Sequence, residues 1–304
     1  RLSQLLPEGV YPLLYQADSF YFHAPWFFGS GARLFDGGAA GGLVSDEAMA
    51  SYELIYRWRS DGILPSEISA SLVTNLFNEN RAALVVNGPW FLGEIAEGVP
   101  FGVAPLPIVS ATGSRATPFL TSEGVFISAF SQSKTKSLSL AKFLAGEESA
   151  VIRGEMGRQC VAHRNAWERS ETLASDPILG TFRAQVESTI PMNNSPEMRN
   201  IWEPTTVALK KILMGGATAE EAAEAAERRY AAITREPPAE TSPKAYFVLV
   251  AILLGGALVI GYRWLRGVTQ RGEFGEFLTG LKWVGPAVLA TGVLVFVPFI
   301  AALG

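Results

Sequence analysis

Two charge-free apolar runs near the C-terminal end constrain the fold of this chain most strongly. They cover Ala245–Tyr262 and Trp283–Gly304. At a rise of 1.5 Å per residue, a helix of either length crosses a hydrocarbon core of about 30 Å. The alternative for the first run is a buried core helix, but its length and its lack of a polar face argue against that. We therefore expect two transmembrane helices, at 245–262 and 283–304, and a globular module that works at a lipid bilayer.

The segments around the first run predict a domain boundary and an orientation. The stretch Thr234–Pro243 holds three prolines, so residues 235–244 are predicted to form an extended, semi-rigid linker. The loop at 263–282 carries four basic residues, Arg263, Arg266, Arg271 and Lys282, against Glu273 and Glu276. Positively charged loops remain in the cytoplasm, so this loop is predicted to be cytoplasmic and the globular module to lie outside.

Composition excludes several classes of function. The chain has 304 residues, a net charge of -4 and one cysteine, Cys160. Neither the charge balance nor any basic block indicates a nucleic-acid partner, and an intrachain disulfide is impossible. The chain starts at Arg1 with no signal peptide and stops in an apolar run. We interpret it as an internal fragment of a longer protein, truncated at both ends.

The segment before the linker shows strands separated by helices, which predicts an α/β domain with a mainly parallel sheet. Apolar runs predict strands at 10–17, 82–86, 101–108 and 124–129. Helical periodicity and caps predict helices at 45–60, 69–79, 134–156, 177–188, 196–214 and 218–233. A glycine-rich turn is expected at 37–42, and Gly62 ends the first of these helices.

Motifs that carry catalysis or bind cofactors are absent from the sequence. There is no dinucleotide or phosphate-binding glycine loop, no HExxH and no GxSxG. His23 and His163 lie far apart without a third metal ligand, and the carboxylates are scattered. The sequence therefore predicts no metal, no cofactor and no catalytic residue.

Aromatic residues at predicted strand ends are more informative. Trp90 follows Asn87-Gly-Pro directly after a buried strand, Phe20 and Tyr21 follow another, and Trp202 opens a helix after a polar turn. Ligands bind at the carboxyl ends of strands in open α/β sheets. Aromatic faces pack against the C–H faces of sugars, while polar groups bind the hydroxyls. The alternative is that these rings fill the core.

At these residues the chain resembles the family 1 extracellular solute-binding proteins, and among them the maltose/maltodextrin-binding proteins. The stretches that carry the resemblance are 18–22, the helix ending at Asp61-Gly62, 77–90 with its NGPW turn, 101–107, 192–202 and 218–233. The resemblance implies a type II periplasmic-binding fold in which two α/β lobes close on a sugar. Residues 1–234 would be the solute-binding domain, N-terminally truncated. The second lobe would comprise 1–103 and 157–234, and 104–156 would belong to the first.

The resemblance also implies roles for individual residues. Trp90 and Trp202 match stacking tryptophans of the sugar cleft, while Phe20 falls where the family has a stacking tyrosine. Tyr21 matches a neighbouring phenylalanine, and Asp18 falls where a glutamate binds hydroxyls. Glu203 stands beside Trp202 where the family has a further aromatic, so with Phe20 it indicates a different hydrogen-bond pattern and a different sugar.

Residues 281–300 resemble the opening membrane segment of a MalF-type sugar permease, so the leading hypothesis is a binding protein fused to an ABC importer. Its partners would be an oligosaccharide, a second permease subunit and separate ATPase subunits. It would be a multi-pass protein of the bacterial cytoplasmic membrane, with the binding domain on the periplasmic or extracellular side. The alternatives are a membrane-tethered sugar sensor with a downstream signalling domain and a membrane-bound glycan-processing enzyme.

Overall fold

The computed structural model describes residues 2–35, 41–235 and 243–272, together with 275, 276, 278–280 and 284. The chain divides into two compact units, residues 1–235 and 236–304. Most of the predicted glycine-rich turn at 37–42 lies outside the described residues. So do linker residues 236–242 and, apart from Val284, the second apolar run at 283–304.

Helices dominate the first unit. They are α1 (Phe20–Gly29), α2 (Asp46–Ser60), α3 (Ala70–Asn78), α4 (Lys134–Ala145), α5 (Glu147–Gly157), α6 (Arg164–Arg169), α7 (Glu171–Ser175), α8 (Pro177–Gln185), α9 (Pro196–Arg199), α10 (Trp202–Leu213) and α11 (Ala219–Thr234). Short 3₁₀ turns cover Leu2–Gln4, Gly41–Val44, Pro89–Gly93 and Val186–Ser188.

Helix ends follow local capping chemistry. The Ser45 hydroxyl accepts a hydrogen bond from the Ala48 amide at the start of α2, and Gly62 takes a positive φ of 68° just past its end. At α11, Thr218 and Glu221 form a reciprocal capping box. These three expectations from the sequence are confirmed.

Two predicted helices are interrupted. Gly146 adopts an extended backbone, with φ −83° and ψ 170°, and so separates α4 from α5 inside the predicted helix 134–156. The predicted helix 196–214 is likewise divided into α9 and α10. Both expectations of a single continuous helix were wrong, because helical periodicity does not reveal a local change of backbone direction.

Regular strands are short in the described part of the chain. β1 (Ile108–Val109) pairs antiparallel with β2 (Ser114–Arg115). β3 (Phe119–Leu120) pairs in parallel with β4 (Ile190–Pro191). The predicted strands at 10–17 and 82–86 run beside each other in parallel through two isolated bridges, Tyr11 with Ala82 and Leu14 with Val85. The predicted strand at 124–129 is absent, and its residues are exposed and irregular.

The main core of the first unit lies where α1, α2, α10 and α11 pack together. Its fully buried members include Tyr52, Ile55, Leu209 and Ile212. Phe119 joins this core from β3 and faces α1. The core therefore holds α1 and β3 in place, and these two elements carry the rings described below.

The second unit contains α12 (Pro243–Gln270). Within the described residues, Val250–Gln270 is the one stretch of helix long and apolar enough to cross a membrane, with a mean hydropathy of 1.3. The helix continues past Tyr262, so residues 263–270 are helical where a loop was predicted.

Candidate functional site

The first unit contains a large, mostly apolar cavity of about 1430 Å³. Its walls come from α1, α2, the segment 82–92, the segment 99–111, the strand β3 and the C-terminal part of α8. The parallel bridges between 11–14 and 82–85 fix the segment before Trp90 against the segment before α1. Two chain segments that are far apart in sequence therefore meet at the cavity.

Trp90 lies in this cavity wall with half of its surface exposed, at 49%. It sits on the 3₁₀ turn Pro89–Gly93, where Pro89 occupies the first position. The centre of its ring lies 6.2 Å from that of Tyr21 and 6.3 Å from that of Phe22. The proline-directed turn thus presents a large aromatic face to the cavity beside two rings of α1.

Tyr21 continues this arrangement toward Trp202. Its ring stacks on Phe119 at 6.2 Å with an interplanar angle of 28°, and Phe119 lies 6.0 Å from Trp202. We call the series Trp90, Tyr21, Phe119 and Trp202 the aromatic row. Trp202 is half-buried and is not among the residues that line the cavity. The two tryptophans are therefore connected through two intervening rings.

Phe119 was not singled out from the sequence. It follows Pro118 in a segment without an evident periodic pattern, and its place depends on the parallel pairing of β3 with β4. The one local signal is an aromatic residue at the edge of a strand. That signal does not distinguish a ligand-binding residue from a residue of the hydrophobic core.

Phe20 occupies a different place from the one expected. Its side chain is fully buried, at 0% exposure, and its ring contacts Phe27, Phe119 and Trp202 edge-on. The expectation that Phe20 offers a stacking surface is corrected: the ring supports Phe119 and Trp202 from the core. The first turn of α1 places Phe20 inward and Tyr21 toward the cavity.

The two predicted carboxylates also lie away from the cavity wall. Glu203 forms a two-pronged ion pair with Arg229, with nitrogen–oxygen distances of 2.7 and 3.2 Å, on the exposed surface between α10 and α11. Glu203 thus bridges these helices, and its part in ligand binding stays a prediction. Asp18 is mostly buried near Lys210, with 3.7 Å between its Oδ2 and the lysine Nζ. Its role as a hydroxyl ligand stays a prediction.

Trp26 adds a hydrogen-bond donor that the sequence analysis did not single out. It lines the cavity and is nearly buried, and its indole Nε1 has no acceptor among the described residues. A buried donor without a partner favours an acceptor from a ligand or from water. Its position six residues after Phe20 on α1 did not indicate that its indole N–H would lie unpaired at a cavity.

The described charged groups of the cavity wall are few. Glu53 and Arg57, one turn apart on α2, supply them, and no cluster of three His, Cys, Asp or Glu residues in the described chain is arranged to hold a metal ion. Cys160 also lines the wall, and burial raises the pKa of its thiol. The arrangement therefore offers broad ring surfaces with a small number of polar groups, which suits a ligand with apolar faces and hydroxyls.

Comparison with known proteins finds similarity to sugar-binding proteins. The galactooligosaccharide-binding protein of Bacillus subtilis is 28% identical over 192 residues, which are 60% of this chain and 44% of that protein. The maltotriose-binding protein of Pyrococcus abyssi is 25% identical over 142 residues, 46% of this chain and 31% of that protein. The chain thus spans less than half the length of these two relatives. No family model matches the chain.

Solved structures extend the similarity to the fold. The maltose/maltodextrin-binding domain of Bdellovibrio bacteriovorus, bound to maltotriose, aligns with a TM-score of 0.69 and 25% identity. The alignment covers 75% of this chain and 61% of that one. A cyclo/maltodextrin-binding protein complexed with maltotetraose aligns with a TM-score of 0.63 and 28% identity over 75% of this chain and 60% of the other.

These similarities support homology with the maltose/maltodextrin-binding class of solute-binding proteins. The structural neighbours have the type II periplasmic-binding fold, in agreement with that part of the predicted fold class, while the two transmembrane helices stay predictions. The named relatives are sugar-binding proteins. The boundaries assigned to the two lobes, 1–103 with 157–234 and 104–156, stay predictions.

Proposed function

We propose that this chain belongs to a membrane-tethered oligosaccharide-binding protein that delivers its ligand to an ABC importer. The observation that carries the proposal is the aromatic row, with Trp90 half-exposed in the wall of a large apolar cavity. Indole and phenol rings offer flat apolar surfaces that match the C–H faces of pyranose rings. Trp90 and Tyr21 both line the cavity, and two neighbouring rings can contact successive sugar units, which favours an oligosaccharide over a monosaccharide.

The class of sugar follows from two observations. The named relatives bind malto-oligosaccharides and galacto-oligosaccharides, so both are candidate ligands here. Phe20 has no hydroxyl where the resemblance places a tyrosine, and Glu203, paired with Arg229, stands where the resemblance places an aromatic residue. We therefore infer that hydrogen bonds to the ligand differ from those of the maltodextrin binders, while the ring contacts are similar.

Membrane tethering and fusion to a permease complete the proposal. The apolar stretch Val250–Gln270 supports a membrane anchor, and the resemblance of 281–300 to a MalF-type permease supports a fused channel subunit. Covalent linkage raises the effective concentration of a binding domain at its permease without any new contact. ATP hydrolysis on separate subunits would then open the closed binding domain and release the sugar.

Titration calorimetry on the intact protein tests the binding step. Maltotriose and a galacto-oligosaccharide are titrated into the wild type, Trp90→Ala and, as a matched control, Phe126→Ala. Phe126 is an exposed ring that does not line the cavity. We expect Trp90→Ala to weaken binding about tenfold, through loss of a ring contact, and Phe126→Ala to leave it unchanged. Absence of binding by the wild type to every oligosaccharide tested would refute the proposal.

Transport is tested separately in proteoliposomes that hold the intact protein, its second permease subunit and its ATPase subunits. ATP-dependent accumulation of the bound oligosaccharide is expected, and Trp90→Ala should reduce it at low sugar concentration. Binding without any ATP-dependent accumulation would contradict the importer and favour the sensor. Recovery of a cleaved sugar would favour the enzyme.

A further inference from the structure

Gly88 stands directly before the turn that carries Trp90, and its backbone does not explain why a glycine is present. Its φ of −91° and ψ of 174° lie in the extended region, which any L-residue adopts. Its amide donates to the Asn87 side-chain oxygen at 2.8 Å, and its carbonyl accepts from the Phe91 amide at 3.0 Å. Another residue could form the same backbone hydrogen bonds, so the requirement must come from space.

The space beside Gly88 is filled by the indole of Trp90. A Cβ built on Gly88 would lie 2.5 Å from Cζ2 of that ring, and Cη2 and Cζ3 would be closer still. Non-bonded carbon atoms come no closer than about 3.5 Å at favourable contact. The outer atoms of the six-membered ring of the indole therefore lie in the position that any side chain at 88 would occupy.

On its cavity side the same ring meets α1. Tyr21 and Phe22 lie 6.2 and 6.3 Å from it, centre to centre. The indole thus lies close to Gly88 and to two aromatic rings. A methyl group at 88 would force the ring toward those neighbours or turn it out of the cavity, since the backbone behind it is fixed by the Asn87 and Phe91 hydrogen bonds.

We propose that Gly88 is a positioning residue, which fixes the orientation of the Trp90 indole in the cavity wall and thereby the affinity for oligosaccharide. The inference rests on the proposed function in assigning Trp90 to the ligand. The orientation itself is a property of the protein without ligand, and it can be measured without any sugar. Gly88 contacts the Trp90 ring and affects ligand binding only through the orientation of that ring.

The test compares Gly88→Ala with Gly93→Ala in the intact protein labelled with 5-fluorotryptophan. Gly93 ends the same 3₁₀ turn, and a Cβ built there meets nothing within 4 Å. In ¹⁹F NMR spectra without sugar, the Trp90 resonance is assigned by its loss in Trp90→Phe. We expect Gly88→Ala to shift that resonance more than those of the other tryptophans and Gly93→Ala to leave it in place. An unmoved Trp90 resonance in Gly88→Ala overturns the inference.

Affinity for maltotriose and the galacto-oligosaccharide gives the second readout. We expect Gly88→Ala to weaken binding about tenfold, as loss of an aromatic contact does. In a Trp90→Ala background the same substitution should have no further effect, because its target is gone. An equal loss in both backgrounds would overturn the positioning role. If the wild type binds no sugar, the proposed function fails while the ¹⁹F result still decides the orientation.

Folding provides a third check. If Gly88→Ala alone does not fold, the cause under this proposal is the overlap with the indole, and the double variant with Trp90→Ala should fold. A double variant that also fails to fold would overturn the steric explanation.

Discussion

Helices α11 and α4 both expose polar residues and both contain apolar ones, yet the chain buries only one of them. α11 buries Ala222, Ala223, Ala226 and Tyr230 against α10 and α2. α4 buries no residue at all, and Leu140 is 57% exposed. Apolar content alone therefore does not decide burial; the presence of a facing element does.

The same contrast extends to the segments beside these helices. Near α11, the described chain forms a continuous core with Tyr52, Leu209 and Ile212 fully buried. Near α4, Phe126 and Phe130 are almost fully exposed. Leu138, Leu140 and Phe143 on α4 itself are exposed as well. The core around α10 and α11 should thus carry most of the stability of the described first unit.

Leu209→Ala tests the well-packed region with the largest expected effect. The side chain is fully buried on α10, so truncation removes its contacts and leaves a cavity. We expect a loss of about 3 kcal/mol in the free energy of unfolding, measured by chemical denaturation followed through tryptophan fluorescence. A loss as small as that of a surface residue would show that this core is loosely packed.

The pH dependence of stability tests the same core through His23. Burial lowers the pKa of His23 to about 3, from an ordinary value of 6.5. The unfolded chain takes up a proton near pH 6.5 and the folded protein does not, so stability is complete above pH 6.5 and falls below it. We expect this residue to account for a loss of about 2 kcal/mol between about pH 7 and pH 5.

His23→Gln serves as the control for this effect. Nε2 of His23 lies 3.3 Å from the Ser51 oxygen, whose hydroxyl already donates to the Ala48 carbonyl, so Nε2 donates to Ser51. Burial lowers the pKa of His23 and so keeps the ring neutral. Burial raises the pKa of Glu227, which acts in the opposite direction in both proteins. The difference between the two pH profiles therefore isolates His23, and parallel profiles would contradict its neutral state.

Thr218→Ala tests how far local chemistry supports α11. The threonine hydroxyl accepts from the Glu221 amide at 3.2 Å and the Glu221 carboxylate accepts from the Thr218 amide at 2.9 Å. We expect a loss of about 1 kcal/mol in the same denaturation experiment. Thr218→Ser keeps the hydroxyl and should retain most of the stability, and equal losses in both variants would argue against the capping role.

Leu140→Ala tests the exposed region and has the smallest expected effect. Its side chain is largely in solvent on α4, so truncation should change the free energy of unfolding by less than about 0.5 kcal/mol. Leu209→Ala in the same experiment is the reference. A loss comparable to that of Leu209→Ala would mean that further protein covers α4 in the intact molecule, and the contrast between the two helices would disappear.

Sequence reasoning was most successful where the cause is local. The cap of α2 at Ser45, its end at Gly62 and the capping box of α11 each involve residues within about one turn of one another. The NGPW turn was recognised for the same reason, since Pro89 fixes the backbone that carries Trp90.

Sequence reasoning failed where distant segments decide the outcome. Phe20 and Tyr21 are adjacent and both aromatic, and only the packing of α1 against Phe119 and Trp202 buries the first and leaves the second at the cavity. Glu203 was assigned to the ligand from its place beside Trp202, and its ion pair with Arg229, 26 residues further on, was not foreseen. Neither the burial of Phe20 nor the ion pair of Glu203 can be read from the neighbouring residues in the sequence.

The amino-acid sequence by itself determined the helix ends, the apolar stretch of α12 and the aromatic character of the candidate site, because each depends on side-chain chemistry or on neighbours along the chain. Only the tertiary structure decided which rings face the cavity, which carboxylate is already paired and why position 88 holds a glycine. Those outcomes depend on contacts between segments that are remote in sequence. There, one methyl group or one ion pair determines whether a side chain is accessible to a ligand.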